Sequence, residues 1–317
     1  MSLLDVESLK TYFFTREGVV QAVDGVSFNM DREEALGLAG ESGCGKTTTA
    51  LSIMRLVPAP GRVVEGSIFF DGKDLVQMDE EEIKNVRWKE VSIIFQGAMN
   101  ALNPVLTVGK QIVEAIQAHE ETTKEEAWNR AEELLELVGI TGLRAREYPH
   151  EFSGGMRQRV MIAMSLACNP KLVIADEPVT ALDVIVQAQI LKLLRTLREK
   201  LHLSTILITH DLSVIADFCD KTAIMYAGKI VEYGEVMTIF KEPVHPYTQA
   251  LMGAFPSIKG EEMSLLSLPG APPPLIDPPS GCRFHPRCQK AMDICSREEP
   301  KYIEVEKGHF SACHLNV

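Results

Sequence analysis

The chain has 317 residues, 45% of them hydrophobic, which suffices for one large domain with an appendage or for two modest domains. Its 32 basic and 44 acidic residues give a net charge of −12, which argues against a nucleic-acid partner, because such proteins carry a basic stripe. With no run of 18 apolar residues and no secretory-length apolar run at the N-terminus, we expect no membrane span, no signal peptide and a cytoplasmic protein.

Short apolar runs predict the strands. Partial alternation of apolar and polar residues through Val20 to Phe28 favours an antiparallel N-terminal layer. The run Ala35 to Ala39 reads as a buried strand that enters a loop, and a helix is expected from about Thr47 to Leu56. Three more runs, each followed by polar residues, are typical of buried parallel strands with functional groups at their carboxyl ends: Val91 to Phe95, Leu172 to Ala175 and Thr205 to Ile208.

A helical segment lies between the runs that begin at Val91 and Leu172. It carries five apolar residues on one face: Ala127, Ala131, Leu134, Leu135 and Val138. We therefore expect a helical subdomain at about residues 97–165 within a core domain of residues 1–255. Six prolines in the eleven residues from Pro269 to Pro279 predict an extended linker. Residues 256–317 are thus predicted to form a proline-rich linker and a small cysteine-rich extension.

Residues 40–47 have the spacing of a phosphate-binding loop, G-x-x-x-x-G-K-[ST]. The glycines let the backbone surround an anion with N–H groups, and the following helix N-terminus adds partial positive charge. Lys46 is expected to reach the β- and γ-phosphates, and the Thr47 hydroxyl to bind Mg²⁺. A predicted strand before the motif and a predicted helix after it disfavour a chance match. The predicted nucleotide-binding residues are Gly40, Ser42, Gly43, Cys44, Gly45, Lys46, Thr47 and Thr48.

Two carboxylates follow the apolar run that begins at Leu172. Asp176 suits a direct or water-bridged contact with Mg²⁺, which prefers oxygen ligands. Glu177 is the candidate general base that polarises an attacking water. Adjacent acids after a strand also occur as a solvated turn, but their position downstream of a phosphate loop favours catalysis.

The order of motifs indicates a family. A phosphate loop is followed by Gln96 at a strand end, by Ser153-Gly154-Gly155 before an apolar helix, by the two acids, by Asp183 and by His210. This order resembles the nucleotide-binding domain of ABC transporters over residues 3 to 255. The resemblance implies an α/β fold of the P-loop NTPase class, of ABC type, with an antiparallel β layer and a helical subdomain.

The resemblance also implies a role for each matching residue. Gln96 would contact Mg²⁺ and the attacking water and couple to membrane subunits, while His210 would sense the γ-phosphate. Three signature residues would bind the γ-phosphate held by the opposite subunit: Ser153, Gly154 and Gly155. Asp183 would lie in the loop that crosses the dimer interface. Phe13, or alternatively Tyr12, would stack on adenine, although core packing explains either aromatic side chain about as well.

The same family implies partners and a mode of action. One chain supplies half of each composite site, so two such ATPase subunits, identical or related, would enclose two ATPs. They would act on two membrane permease subunits from the inner face of the cell membrane, with an extracytoplasmic solute-binding protein. Two other classes remain open: a soluble ABC ATPase acting on nucleic acid or the ribosome, and a regulatory nucleotide-binding module without turnover. One phosphate loop, no coiled-coil insertion and the acidic balance disfavour the soluble class.

Four of the seven cysteines lie near the C-terminus: Cys282, Cys288, Cys295 and Cys313. Structural zinc sites usually contain close cysteine pairs, so this open spacing suits an iron–sulfur cluster at least as well. Three nearby histidines keep a zinc site open (His285, His309 and His314), as does the alternative of reduced thiols without a metal.

The segments 241–248 and 268–288 resemble the C-terminal extension of dipeptide and oligopeptide importer ATPases. That resemblance implies a [4Fe–4S] cluster on the four cysteines and import of small peptides. Nickel importers share much of this extension, so nickel is the alternative solute. Two departures stand out: Gly97-Ala98 follow Gln96 where an acid and a proline are commoner, and Val179 replaces a usual threonine.

Overall fold

The computed structural model describes residues 2–97, 101–253 and 270–316. The predicted boundary near 255 and Ala98 lie outside these residues. The chain divides into two compact units: unit 1, comprising Met1–Met30, Leu36–Val76 and Thr209–Val317, and unit 2, comprising Asp31–Ala35 and Gln77–Ile208.

Strands and helices alternate through the middle of the chain. The strands are β1 (Ser2–Thr15), β2 (Gly18–Asp31), β3 (Ala35–Ala39), β4 (Gly61–Phe70), β5 (Lys73–Asp74), β6 (Val91–Ile94), β7 (Leu172–Asp176), β8 (Ser204–Ile208), β9 (Lys221–Tyr226), β10 (Lys229–Glu235), β11 (Ile303–Glu306) and β12 (His309–Ser311). The α-helices are α1 (Lys46–Ile53), α2 (Glu80–Val86), α3 (Val108–His119), α4 (Lys124–Leu137), α5 (Gly154–Ser165), α6 (Val184–Leu201), α7 (Leu212–Phe218), α8 (Val236–Lys241) and α9 (Pro246–Gly253).

Unit 1 contains the predicted N-terminal layer, a four-stranded sheet of order β2-β1-β4-β5. β1 runs antiparallel to β4, and β4 antiparallel to β5, which confirms the antiparallel prediction. Four apolar side chains of β1 are buried and contribute to the core: Leu3, Leu4, Val6 and Leu9. The phosphate loop joins β3, whose five residues are all buried, to α1.

A second strand array of unit 1 has the order β11-β12-β10-β9-β3. β3 is parallel to β9, and the remaining neighbours pair antiparallel. The C-terminal extension therefore contributes two strands to this array through β12, which pairs with β10. The proline-rich stretch also contacts the N-terminal layer, because Ile276 forms an isolated bridge with Val20 of β2.

Unit 2 combines three parallel strands with a helical part. The strands have the order β8-β7-β6, which confirms that these apolar runs form buried parallel strands. On α4 the predicted apolar face is buried, and the Thr123–Glu126 capping box fixes the first turn. Gly109 of α3 allows close packing, because a Cβ there would lie 2.7 Å from the Ala145 carbonyl oxygen. Among the described residues, no helix has the length and apolar character that a membrane crossing requires.

Candidate nucleotide site

The phosphate loop in unit 1 has a backbone that requires glycine. Gly40, Gly43 and Gly45 all have positive φ angles, of 144°, 78° and 106°. A Cβ at Gly40 would lie 2.1 Å from the Met225 carbonyl oxygen, and one at Gly45 would lie 2.2 Å from the Ala22 carbonyl oxygen. The loop is therefore packed tightly between β2 and β9, while Gly43 has open space around it.

The side chains of the loop divide into buried and exposed groups. Lys46 is 6% exposed, and its ammonium donates to the carbonyls of Gly40 (2.7 Å) and Glu41 (3.0 Å). Cys44 is buried, and burial raises the pKa of its thiol. Ser42 and Thr47 are exposed, so their hydroxyls can reach a ligand. The backbone N–H groups at the start of α1 complete a site suited to phosphate.

The two aromatic candidates for adenine stacking have different surroundings. The Tyr12 hydroxyl donates to the Asp24 carboxylate at 2.7 Å, and burial raises the pKa of Tyr12. Burial would raise the pKa of Asp24, but hydrogen bonds from Tyr12 and Lys229 and the charge of Arg283 lower it overall. Phe13 is half-buried, with its ring close to Gly61. Tyr12 is thus engaged in an ionic network, and Phe13 stays the prediction for adenine.

His210 belongs to unit 1 and lies directly before α7. The side chain is exposed. Its position is set from both sides: the Thr209 amide donates to Leu38 of β3, and the Asp211 carboxylate caps α7 by accepting from the Ser213 amide. The imidazole therefore extends from a well-anchored strand end.

In unit 2 the structure brings two predicted catalytic residues together. The Gln96 amide donates to the Glu177 carboxylate at 2.9 Å, and the Thr180 hydroxyl donates to the same oxygen at 2.8 Å. Glu177 has a φ of 45° and is half-buried, directly after Asp176, which is 1% exposed at the end of β7. Two donors thus orient a carboxylate that is suited to accept a proton from water.

The signature segment forms a helix start. The Ser153 side chain caps α5 by accepting from the Met156 amide at 3.4 Å. Gly155 approaches α6 closely, because a Cβ there would lie 2.6 Å from Val186. Asp183 caps α6: its carboxylate accepts from the Val186 amide at 2.9 Å, and its carbonyl accepts from the Gln187 amide at 2.8 Å. Ser153 and Asp183 are exposed, and Gly154 and Gly155 are half-buried.

The structure does not support the predicted metal site of the extension. Within the part of the chain that the structure describes, no three or more His, Cys, Asp or Glu side chains are placed to hold a metal ion. All four cysteines are free thiols. Burial and the charges of the other three raise the pKa of Cys282 to about 11, which makes the thiolate that a metal needs harder to form. The spacing of the four cysteines in the sequence therefore did not establish that they are arranged as metal ligands.

The sequence analysis missed three residues of unit 1: two of them contact the phosphate loop, and the third contacts β2. Arg287 and Tyr247 bind Glu41 of the phosphate loop, and Arg283 binds Asp24, the partner of Tyr12. All three lie in the segments quoted for their resemblance to importer extensions. The recurrent Pro, Arg and aromatic residues in these segments could have marked them as important, but no local sequence pattern indicated which residues they contact.

Comparison with known proteins agrees with this geometry. Residues 23–180 match the ABC transporter family, and residues 231–295 match the C-terminal region of oligopeptide/dipeptide transporters. The chain is 52% identical over 313 residues to the oligopeptide transport ATP-binding protein OppD of Bacillus subtilis, covering 97% of this chain and 87% of that protein. The chain belongs to the ABC transporter family. As a member of this family it is an ATPase.

Other relatives and solved structures extend the comparison. The dipeptide transport ATP-binding protein DppD of Escherichia coli is 46% identical, over 99% of this chain and 97% of that protein. A dimeric post-hydrolysis structure of the ATP-binding cassette MJ0796, bound to ADP and Pi, has a TM-score of 0.65 and 27% identity, covering 74% of this chain and 98% of that one. The predicted ABC fold is thereby confirmed.

Proposed function

We propose that this ABC ATPase powers the import of small peptides. The observation that carries the choice of solute is the match of residues 231–295 to the oligopeptide/dipeptide transporter C-terminal region. Relatives named for oligopeptide and dipeptide transport, each covering nearly all of this chain, support the same choice. Neither match favours nickel as the solute, nor a soluble ATPase acting on nucleic acid or the ribosome.

In the proposed chemistry, the phosphate loop binds the triphosphate of ATP. Its backbone N–H groups and Lys46 bind phosphate oxygens, and Thr47 offers Mg²⁺ a hydroxyl ligand. In unit 2, Asp176 and Gln96 offer oxygen donors of the kind that Mg²⁺ prefers. His210 senses the γ-phosphate, and Phe13 stacks on adenine.

The proposed general base is Glu177. Its carboxylate accepts hydrogen bonds from Gln96 and Thr180, so it is oriented before a water reaches it. It takes one proton from that water as the oxygen attacks the γ-phosphorus and the bond to ADP breaks. Gln96 contacts the base directly, which suits it to report the state of the permease to the catalytic carboxylate.

The proposed working unit contains two ATPase subunits, two membrane permease subunits and an extracytoplasmic solute-binding protein, at the inner face of the membrane. The MJ0796 cassette is dimeric, which supports pairing of the ATPase subunits. In unit 2, Val184 and Ile185 follow Asp183 and are 79% and 72% exposed, as expected of an apolar contact with a partner. Ser153, Gly154 and Gly155 would bind the partner's ATP.

For the four cysteines of the extension, the proposal stays a [4Fe–4S] cluster in preference to zinc. Support comes from the fold of the extension, in which the Cys282 amide donates to the Cys295 carbonyl at 2.8 Å and so brings these two cysteines close together. The Met292 amide also donates to the Cys295 sulfur at 3.4 Å, a contact that ligand sulfurs commonly receive. Iron, sulfide and zinc analysis of anaerobically purified protein distinguishes a cluster, a zinc site and metal-free thiols.

The test of the main proposal is ATPase activity in the assembled transporter. The chain is co-purified with its permease subunits in lipid, and ATP hydrolysis is measured with and without peptide-loaded binding protein. We expect stimulation by peptide and its loss in Glu177→Gln, with Glu136→Gln, a change of the same kind on α4, as the control. Failure to copurify with permease subunits, or activity unaffected by peptide, would contradict the proposal.

A further inference from the structure

Glu41, the second residue of the phosphate loop, is held at three points. Its amide donates to the Tyr247 hydroxyl at 3.1 Å, and its carbonyl accepts from the Lys46 ammonium at 3.0 Å. Its two carboxylate oxygens accept from the two terminal nitrogens of Arg287, at 2.6 and 3.0 Å. Two of these three partners come from the C-terminal part of unit 1, more than 200 residues along the chain.

The contact between Arg287 and Glu41 is built into the protein interior. The Arg287 side chain is 6% exposed, against 26% for Glu41, and one guanidinium nitrogen also lies 3.3 Å from the Tyr226 hydroxyl. The hydrogen bond to Glu41 raises the pKa of Arg287. Tyr247 is fully buried and packs against Tyr226, with ring centroids 4.7 Å apart. A two-point guanidinium–carboxylate contact fixes direction as well as charge.

The charge of Glu41 has a consequence for a loop that binds a triphosphate. An uncompensated carboxylate there would repel the phosphates, since few ions screen a partly buried charge. Arg287 neutralises that carboxylate and also sets its direction. Tyr247 constrains the adjacent backbone by accepting from the Glu41 amide.

We propose that Arg287 is a positioning residue for ATP binding: by pairing with Glu41 it neutralises and orients the phosphate loop, with Tyr247 holding the loop backbone. The extension thereby contributes to nucleotide affinity as well as to the fold of unit 1. This inference rests on the proposed binding of ATP by the same loop. It assigns no contact between Arg287 and the nucleotide.

The test uses the full-length chain in complex with its permease subunits. We expect Arg287→Ala to weaken Mg·ATP binding and raise KM for ATP about tenfold, with kcat at saturating ATP within about twofold of wild type. Glu41→Gln removes the repulsion, so Arg287→Ala in that background should leave ATP affinity unchanged within about twofold. Tyr247→Phe, which keeps the packing and loses the hydroxyl acceptor, should raise KM about threefold.

Arg283→Ala is the matched control, because Arg283 is an equally buried arginine of the extension whose partners are Gln21, Asp24 and Ala227. Its ATP affinity should stay within about twofold of wild type. If Arg283→Ala weakens ATP binding as much as Arg287→Ala, or if Arg287→Ala acts equally in the Glu41→Gln background, the inference is overturned. If Arg287→Ala does not fold, the ATP affinities of Tyr247→Phe and of the Glu41→Gln, Arg287→Ala double variant test the inference. If the wild-type complex binds no ATP, the proposed function itself is contradicted.

Discussion

Acidification should destabilise unit 1 through His245, the histidine of the extension-like motif. His245 is 1% exposed, and burial lowers its pKa to about 4 from an ordinary value of 6.5, although the nearby Glu232 carboxylate opposes this shift. Its Nδ1 accepts a hydrogen bond from the Tyr247 amide at 3.0 Å, which requires the neutral ring. Replacing His245 with Asn keeps an acceptor at a similar position and removes the titration.

The sign of the effect follows from which state binds the proton. The unfolded chain protonates this histidine near pH 6.5 while the folded chain keeps it neutral, so stability is complete above pH 6.5 and falls between pH 6.5 and 4. The full difference corresponds to about 3 kcal/mol. Between pH 7.5 and 5.5 the loss attributable to this residue is about 1 kcal/mol.

Urea unfolding followed by circular dichroism at pH 7.5 and 5.5 measures this loss. Carboxylates titrate in both proteins, so the wild type should lose about 1 kcal/mol more free energy of unfolding than His245→Asn. Equal losses in the two proteins would refute the reasoning that the neutral, buried ring carries this pH dependence. A larger loss in the variant would contradict it as well, because Asn does not titrate in this range.

Three further predictions concern the nucleotide site. Glu177→Gln should lower ATP turnover about 10²- to 10⁴-fold while Mg·ATP still binds, and wild-type turnover in this variant would exclude Glu177 as the base. The Gly45→Ala variant should have a melting temperature about 2 to 8 °C below that of Gly43→Ala. Both substitutions strain a backbone with positive φ, but only the new Cβ at position 45 would clash with a backbone carbonyl. Equal melting temperatures would contradict the clash. Asp183→Ala should cost about 1 kcal/mol by removing the α6 cap, and Asp183→Asn should restore it; no loss in the alanine variant would show that the cap is not needed.

Local patterns predicted the local elements well. The run Ala35 to Ala39 forms β3 with the predicted bounds, because a short apolar stretch buried on both sides has no other stable place. The helix predicted to reach Leu56 ends at Ile53, since Arg55 adopts a φ of 49° that apolar periodicity does not reveal. Motif spacing likewise placed Lys46 between β3 and α1, where it is the first helical residue, and Glu177 and His210 shortly after β7 and β8.

Contacts between residues that are far apart in the sequence could not be predicted from it. Glu41 and Arg287 are 246 positions apart, and neither belongs to a periodic pattern that would place them together. The same holds for Glu232 of β10 and His309 of β12, which are both buried and 2.8 Å apart. Cysteine spacing suggested a metal, but an arrangement of ligands depends on how the loops of the extension fold. Tertiary packing decides these features, and a single sequence does not encode it in any local signal.

The central claim, that ATP hydrolysis by this chain drives peptide import, is tested most directly by solute uptake into proteoliposomes. The vesicles contain the complete transporter, including a second ATPase subunit, with internal Mg·ATP and external binding protein, and are offered labelled dipeptide, labelled tetrapeptide or ⁶³Ni²⁺. We predict ATP-dependent uptake of peptide but not of nickel, abolished by Glu177→Gln. Uptake of nickel alone, or peptide uptake that persists in Glu177→Gln, would contradict the account.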